Sequence, residues 1–134
     1  MAQILIVDDE VDMLALLAMI ITNKSTHGAT TTNNPLEVPK LIQEGKFDLI
    51  ISDLKMPGMD GVELIAEVRK IDKSIPILII TAYGSVDSAE DAVLKGAYDY
   101  ITKPFRKEQI LIAINRALEW KEMKKEIDSL KGEK

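Results

Sequence analysis

Residues 47–61 read FDLIISDLKMPGMDG. Leu49, Ile50 and Ile51 are apolar on both sides of an extended chain, which is the pattern of a strand covered on both faces rather than one half-open to water. Asp53 follows at the end of that run. Pro57, Gly58, Asp60 and Gly61 then supply the residues of a tight turn. A buried strand that delivers a carboxylate to the mouth of a turn points to a fold in which strand ends make the site.

Outward from this stretch the same grammar repeats. Short apolar runs at Ile4–Val7, Ala29–Thr32 (weaker), Leu49–Ile51, Ile77–Ile80 and Tyr98–Ile101 imply five strands. Between them lie segments with helical spacing: Met13, Leu16, Leu17 and Ile20; Leu36, Leu41 and Ile42; Val62, Leu64, Ile65 and Val68; Val86, Ala89, Ala92 and Val93. Each crossover helix needs a sheet face on which to bury its stripe, so the alternation predicts a parallel sheet covered on both sides. The expected fold class is a doubly wound α/β sandwich, (βα)5. Pro39 interrupts PLEVPKLIQEG and predicts a second helix that starts late or kinks, because proline lacks the backbone donor and clashes with the preceding turn.

Arg106 onward has no Pro or Gly until Gly132. Roughly 25 helical residues there would extend about 37 Å, more than the domain needs. Ile110, Ile114 and Ala117 form its core stripe, after which Trp120, Met123, Ile127 and Leu130 continue at spacings of 3, 4 and 3. We therefore expect a domain over residues 1–120, a helical extension over 121–134, and the second stripe as a possible homodimer seam.

The chain has 134 residues, enough for one domain with a full core. A net charge of −5 disfavours direct contact with nucleic acid, which calls for a basic stripe to displace counterions. Cysteine is absent, excluding disulfides and thiolate metal sites. MAQILIVDDE has neither the basic start nor the apolar core of a signal peptide, and no apolar run reaches bilayer length. The expectation is a cytoplasmic protein with no membrane contact.

Ligands of open α/β sheets bind beyond the carboxyl ends of the strands. Collecting the residues there gives Asp8 and Asp9 after the first strand, Asp53 at the third, Thr81 at the fourth and Lys103 at the fifth. Three crowded carboxylates repel one another unless a cation joins them. With only oxygen donors, that cation should be hard and octahedral, Mg²⁺ or Mn²⁺. Lys103 then offers a movable point charge to a phosphoryl oxygen, and Thr81 a hydrogen bond. Asp53 is the candidate nucleophile, since a carboxylate can carry a phosphoryl group as a mixed anhydride. His27, the only histidine, lies far from these acids in the strand order and is expected to be structural.

Four stretches carry a resemblance: ILIVDDE (4–10), DLIISDLKMPGMDG (48–61), PILIITAYG (76–84) and GAYDYITKPF (96–105). Together, in this order and spacing, the chain resembles the receiver domain of a two-component response regulator. The resemblance implies a flavodoxin-like strand order 2-1-3-4-5 and a phosphoryl group accepted on Asp53 from a sensor histidine kinase or phosphotransfer protein. It implies Asp9 as a direct Mg²⁺ ligand, Asp8 acting largely through water, and the Lys55 backbone carbonyl completing the set. Thr81 and Tyr100 become a switch pair that alters the surface of the fourth helix, fifth strand and fifth helix, read by an output domain or protein. Such a domain is not an enzyme in the ordinary sense, since it catalyses only its own phosphorylation and dephosphorylation. The resemblance further implies that Lys55 and Tyr83 flank the path of the hydrolytic water, so that the bulk of Tyr83 predicts slow self-dephosphorylation.

Rival classes fit less well. A haloacid-dehalogenase-type phosphatase needs a second Asp where Lys55 stands, DDEVD would repel a flavin phosphate, and no Gly-rich Lys signature of a P-loop is present. The nearest alternative is a receiver fold used as a scaffold without phosphorylation.

Overall fold

The computed structural model describes residues 2–82 and 86–131, with no side-chain account for 86–88 and 128–131. The elements follow in strict alternation: β1 (Gln3–Val7), α1 (Val11–Lys24), β2 (Gly28–Thr32), a 3₁₀ turn (Pro35–Glu37), α2 (Val38–Gln43), β3 (Leu49–Asp53), α3 (Gly61–Ile71), β4 (Ile77–Ala82), α4 (Val86–Leu94), β5 (Asp99–Lys103) and α5 (Lys107–Lys131). The sheet is five-stranded and parallel, in the order β2-β1-β3-β4-β5. This is the (βα)5 arrangement that the sequence pattern predicts.

Alternation within the strands divides the core in two. Ile4, Ile6, Leu49, Ile51, Leu78 and Ile80 pack with the inner faces of α1 and α5. Leu5, Val7, Ile50, Ile77 and Ile79 point to the other layer, against α2, α3 and α4. Because both faces are covered, the central strands read as continuous apolar runs. Pro39 stands in the first turn of α2, where its missing N–H has no intrahelical role. The chain turns through Pro35–Glu37 first, so the helix does start late.

Two edges of this sheet matter below. At the amino edge Asp48, just before β3, accepts the Gln3 N–H at 2.8 Å and pairs with Lys121 of α5 at 3.1 Å. Trp120 packs on Tyr98 with ring centroids 5.5 Å apart. These contacts hold α5 against the body of the domain to about its fifteenth residue. His27 also lies at this edge, its Nδ1 accepting the Ala2 N–H at 3.0 Å, as befits a structural histidine. Among the described residues no helix is long and apolar enough to cross a membrane.

Candidate functional site

At the carboxyl edge, adjacent registers bring separate strands level. Val7 pairs with Ser52, Asp53 with Ile80, and Ala82 with Lys103. The residue after Val7 is therefore close to the end of β3. Asp8, Asp9 and Asp53 each direct a carboxylate oxygen into one region, with those oxygens within 4.8 Å of one another. Lys103 Nζ lies 3.8 Å from Asp53 Oδ2. The four charged residues collected by strand order thus form a single cluster.

Local structure fixes each member differently. Asp8 is buried, only 1% exposed, and its Oδ1 accepts the Glu10 N–H at 2.9 Å. That bond ties the carboxylate to the start of α1, whose N-cap is Glu10; Asp9 does not cap this helix and stands exposed. Asp53 is half-buried, with its Oδ1 accepting the Leu54 N–H at 2.8 Å and a further bond from the Lys55 N–H. Leu54 and Met56 are buried on either side of exposed Lys55, so the chain leaving β3 is anchored at alternate residues.

The turn that follows is tight for identifiable reasons. Gly61 N–H donates to the Leu54 carbonyl at 2.6 Å, and a Cβ at Gly61 would come within 3.0 Å of Leu54 Cα and 3.1 Å of the Asp53 carbonyl oxygen. Gly58 has φ +87°, a conformation open to glycine. Asp60 and Glu63 then form a reciprocal capping box that starts α3. MPGMDG is therefore the device that folds the backbone back beneath Asp53.

The electrostatics are those of a site with surplus negative charge. Burial is the main force on Asp8, lifting its pKa to about 6 against a lowering by the Glu10 N–H, with Asp53 raising it further. Burial also raises Asp53, in opposition to Lys103 and the two backbone N–H groups. A pair of acids held above the ordinary carboxylate range beside a third acid and one ammonium suits a hard divalent cation with oxygen ligands. The donor set therefore fits the metal that the sequence suggests.

Thr81 is buried at the end of β4, and among the described residues its hydroxyl donates to the Ala82 carbonyl at 3.4 Å. It lies one residue beyond Ile80, the partner of Asp53. Tyr100 is not part of the acid cluster. It pairs with Ile79 in register and packs, half-buried, against the core layer beneath α2, α3 and α4. Tyr83 lies outside the described residues. One residue escaped the sequence reading: Glu10 Oε1 is 3.8 Å from Lys103 Nζ, as far as Asp53 is, so the lysine is shared between two carboxylates. Its only signal was its place after two consecutive acids.

Comparison with known proteins gives the family of the chain. The model of the response regulator receiver domain matches residues 4–115. The chain belongs to the response regulator receiver family. The receiver is 34% identical over 117 residues to the chemotaxis protein CheY of Listeria monocytogenes, covering 87% of this chain and 98% of that one. It is 37% identical over 118 residues to the transcriptional regulatory protein GlrR of Escherichia coli, covering 88% of this chain but 26% of the other. The chain thus spans about a quarter of the length of that regulator. Among solved structures, NtrX from Brucella abortus superposes with a TM-score of 0.91 at 33% identity, over 96% of this chain and 30% of that one. A receiver domain protein from Clostridium thermocellum gives 0.86 at 30% identity, over 92% and 98%. Receiver signalling in two-component systems is the function these relatives share.

Proposed function

We propose that this receiver accepts a phosphoryl group on Asp53 in a Mg²⁺-dependent reaction and passes the change to a partner or output domain through the surface of α4, β5 and α5. The observation that carries the reading is the cluster itself: Asp53 beside Asp8 and Asp9, with Lys103 at 3.8 Å. Donors of fitting chemistry are the phosphohistidine of a sensor kinase or of a phosphotransfer protein.

In the reaction an Asp53 carboxylate oxygen forms a bond to phosphorus as the phosphorus–nitrogen bond of the donor imidazole breaks. The electron pair leaves with that nitrogen, and the carboxylate, already ionised, loses no proton. Asp9 and Asp53, the Lys55 carbonyl and, through water, Asp8 would hold the Mg²⁺, which supplies charge neutralisation to the transferring group. Lys103 gives an ammonium to a phosphoryl oxygen, exchanging its present carboxylate partners for a more highly charged one. The Leu54 and Lys55 N–H groups orient the Asp53 carboxylate for attack.

Signalling starts at the buried Thr81 hydroxyl, whose bond to the Ala82 carbonyl is long at 3.4 Å. A phosphoryl oxygen at Asp53 offers it a stronger acceptor, and its displacement opens space for the half-buried Tyr100 ring to move inward. The domain catalyses its own phosphorylation and dephosphorylation only. The test is chemical trapping: after incubation with a small phosphoryl donor and Mg²⁺, borohydride reduction of an acyl phosphate at Asp53 leaves homoserine at position 53. Its absence from the peptide map, with Mg²⁺ binding intact, would favour a scaffold role instead.

A further inference from the structure

Hydroxyls are buried at the ends of two neighbouring strands, Ser52 on β3 and Thr81 on β4. Each donates to the carbonyl of the residue that follows it, but at a different length. Ser52 Oγ reaches the Asp53 carbonyl at 2.8 Å, whereas Thr81 Oγ1 reaches the Ala82 carbonyl at 3.4 Å. The first lies at the usual length of an O–H···O bond and the second beyond it. The same local bond is therefore firm at one strand end and loose at the other. A loose hydroxyl is free to change partner; a firm one holds its neighbour still.

What Ser52 holds is the peptide unit between Asp53 and Leu54. Pairing of β3 with β1 ends at Ser52, so the Asp53 carbonyl lies beyond the last register pair on that side. Gly61 approaches so closely that a Cβ there would come within 3.1 Å of the same oxygen. A carbonyl so enclosed needs a donor close at hand, and Ser52 supplies one from within the strand. The other end of this peptide unit is the Leu54 N–H, which donates to the Ile80 carbonyl at 3.2 Å and to Asp53 Oδ1 at 2.8 Å. Because the peptide is planar, its two ends move as one piece. Fixing the carbonyl aims the N–H, and the N–H aims the carboxylate, whose Oδ2 lies 3.8 Å from Lys103 Nζ.

We infer that Ser52 is a positioning residue for phosphoryl acceptance: its hydroxyl locks the Asp53–Leu54 peptide plane and so holds the Asp53 carboxylate in one orientation beside Lys103. The inference rests on the reading of Asp53 as the phosphoacceptor. Ser52 acts through the backbone and stays buried, out of contact with the transferring group. Its contribution is orientation, which matters because attack on phosphorus needs the carboxylate oxygen in line with the breaking bond. Without the hydroxyl the peptide plane can rock, and the carboxylate spends less of its time aligned. Asp8 and Asp9 are held by other elements, so the acid cluster itself survives the change.

The test begins with deuterium exchange of backbone N–H groups in the full chain, which needs no phosphoryl donor. In Ser52→Ala the Leu54 N–H should exchange about tenfold faster relative to the Ile51 N–H of the same strand, whereas a general loosening would speed both alike. With a small phosphoryl donor and Mg²⁺, the maximal rate of acceptance should fall about tenfold, while the half-saturating donor concentration and the Mg²⁺ affinity stay within about twofold. Ser52→Thr, which keeps the hydroxyl, should recover most of that rate. If Ser52→Ala does not fold by circular dichroism, Ser52→Cys replaces it, and its weak S–H donor should cost about threefold. A rate equal to that of the wild type, Leu54 exchange that merely follows Ile51, or equal losses in Ser52→Ala and Ser52→Thr would overturn the inference. A wild type that takes up no phosphoryl group contradicts the reading of Asp53 instead, and Leu54 exchange then decides by itself whether Ser52 holds the carboxylate.

Discussion

Aspartates stand at both edges of this sheet, and the two sets live under opposite conditions. At the amino edge, burial alone would raise Asp48, but the Gln3 N–H and Lys121 outweigh it and hold the carboxyl below its ordinary range. Asp72 is likewise pushed up by burial and brought below that range by the Ser74 N–H and hydroxyl and the Ile75 N–H. At the carboxyl edge the same residue type is raised, Asp8 to about 6, because burial there exceeds what the protein offers in return. The difference separates acids that hold the fold together from acids kept for a ligand. Partial satisfaction, rather than acidity, marks the site.

The largest effect expected from breaking this contrast is at Lys103, the cation nearest Asp53. Lys103→Met should slow phosphoryl acceptance by about 100-fold, the usual scale for removing a charge-stabilising donor, while Mg²⁺ binding survives in a titration. Equal loss of metal affinity would show the lysine to be merely structural. Next come paired substitutions read by chemical denaturation without metal. Asp8→Asn should stabilise the fold by about 2 kcal/mol at neutral pH, since it removes a carboxylate ionised against its environment. Asp72→Ala should destabilise it by about 1–2 kcal/mol through lost hydrogen bonds. Changes of the same sign at both edges would erase the distinction.

The pH dependence has a determined sign. Asp8 titrates near 6 in the folded protein against an ordinary 3.8, so between these values the folded chain holds a proton that the unfolded chain lacks. Without metal, stability should rise as pH falls from about 7.5 toward about 5, and Asp8→Asn should flatten that rise. Asp48 and Asp72 act in reverse: their stabilisation is present above the ordinary carboxylate value and is lost as pH falls through their lowered values. Thermal melts in a chelator across this range check both limbs, and a metal-free melt that simply declines on acidification contradicts the assignment of Asp8. The smallest effect belongs to Glu10. Releasing Lys103 from its second carboxylate by Glu10→Gln should change the phosphorylation rate no more than about threefold, as weak exposed pairs do.

Much of this was legible in the sequence. Apolar runs such as Leu49–Ile51 announce strands buried on both faces, and a residue that ends such a run in a parallel sheet must lie at the carboxyl edge. That reasoning places Asp53 and Lys103 together although 50 positions separate them. Pro39 marked the late start of α2 for the same local reason that the structure gives. What the sequence hid were contacts made across the fold by residues that look like solvated charge. Lys121 resembles every other lysine of α5, yet it reaches Asp48, 73 positions away. Glu10 follows two acids and gives no sign of which cation it faces. Tyr100 shows its strand but not the neighbourhood in which its ring is packed.

The central claim is that the under-satisfied edge exists to carry a phosphoryl group on Asp53. The most direct measurement is the intact mass of the chain after incubation with a small phosphoryl donor, with and without Mg²⁺, for the wild type and for Asp53→Asn. The account predicts a gain of one phosphoryl group in the wild type only, and only with the metal present. A gain that persists in Asp53→Asn or needs no metal would contradict it, as would no gain in a wild-type chain shown separately to bind Mg²⁺.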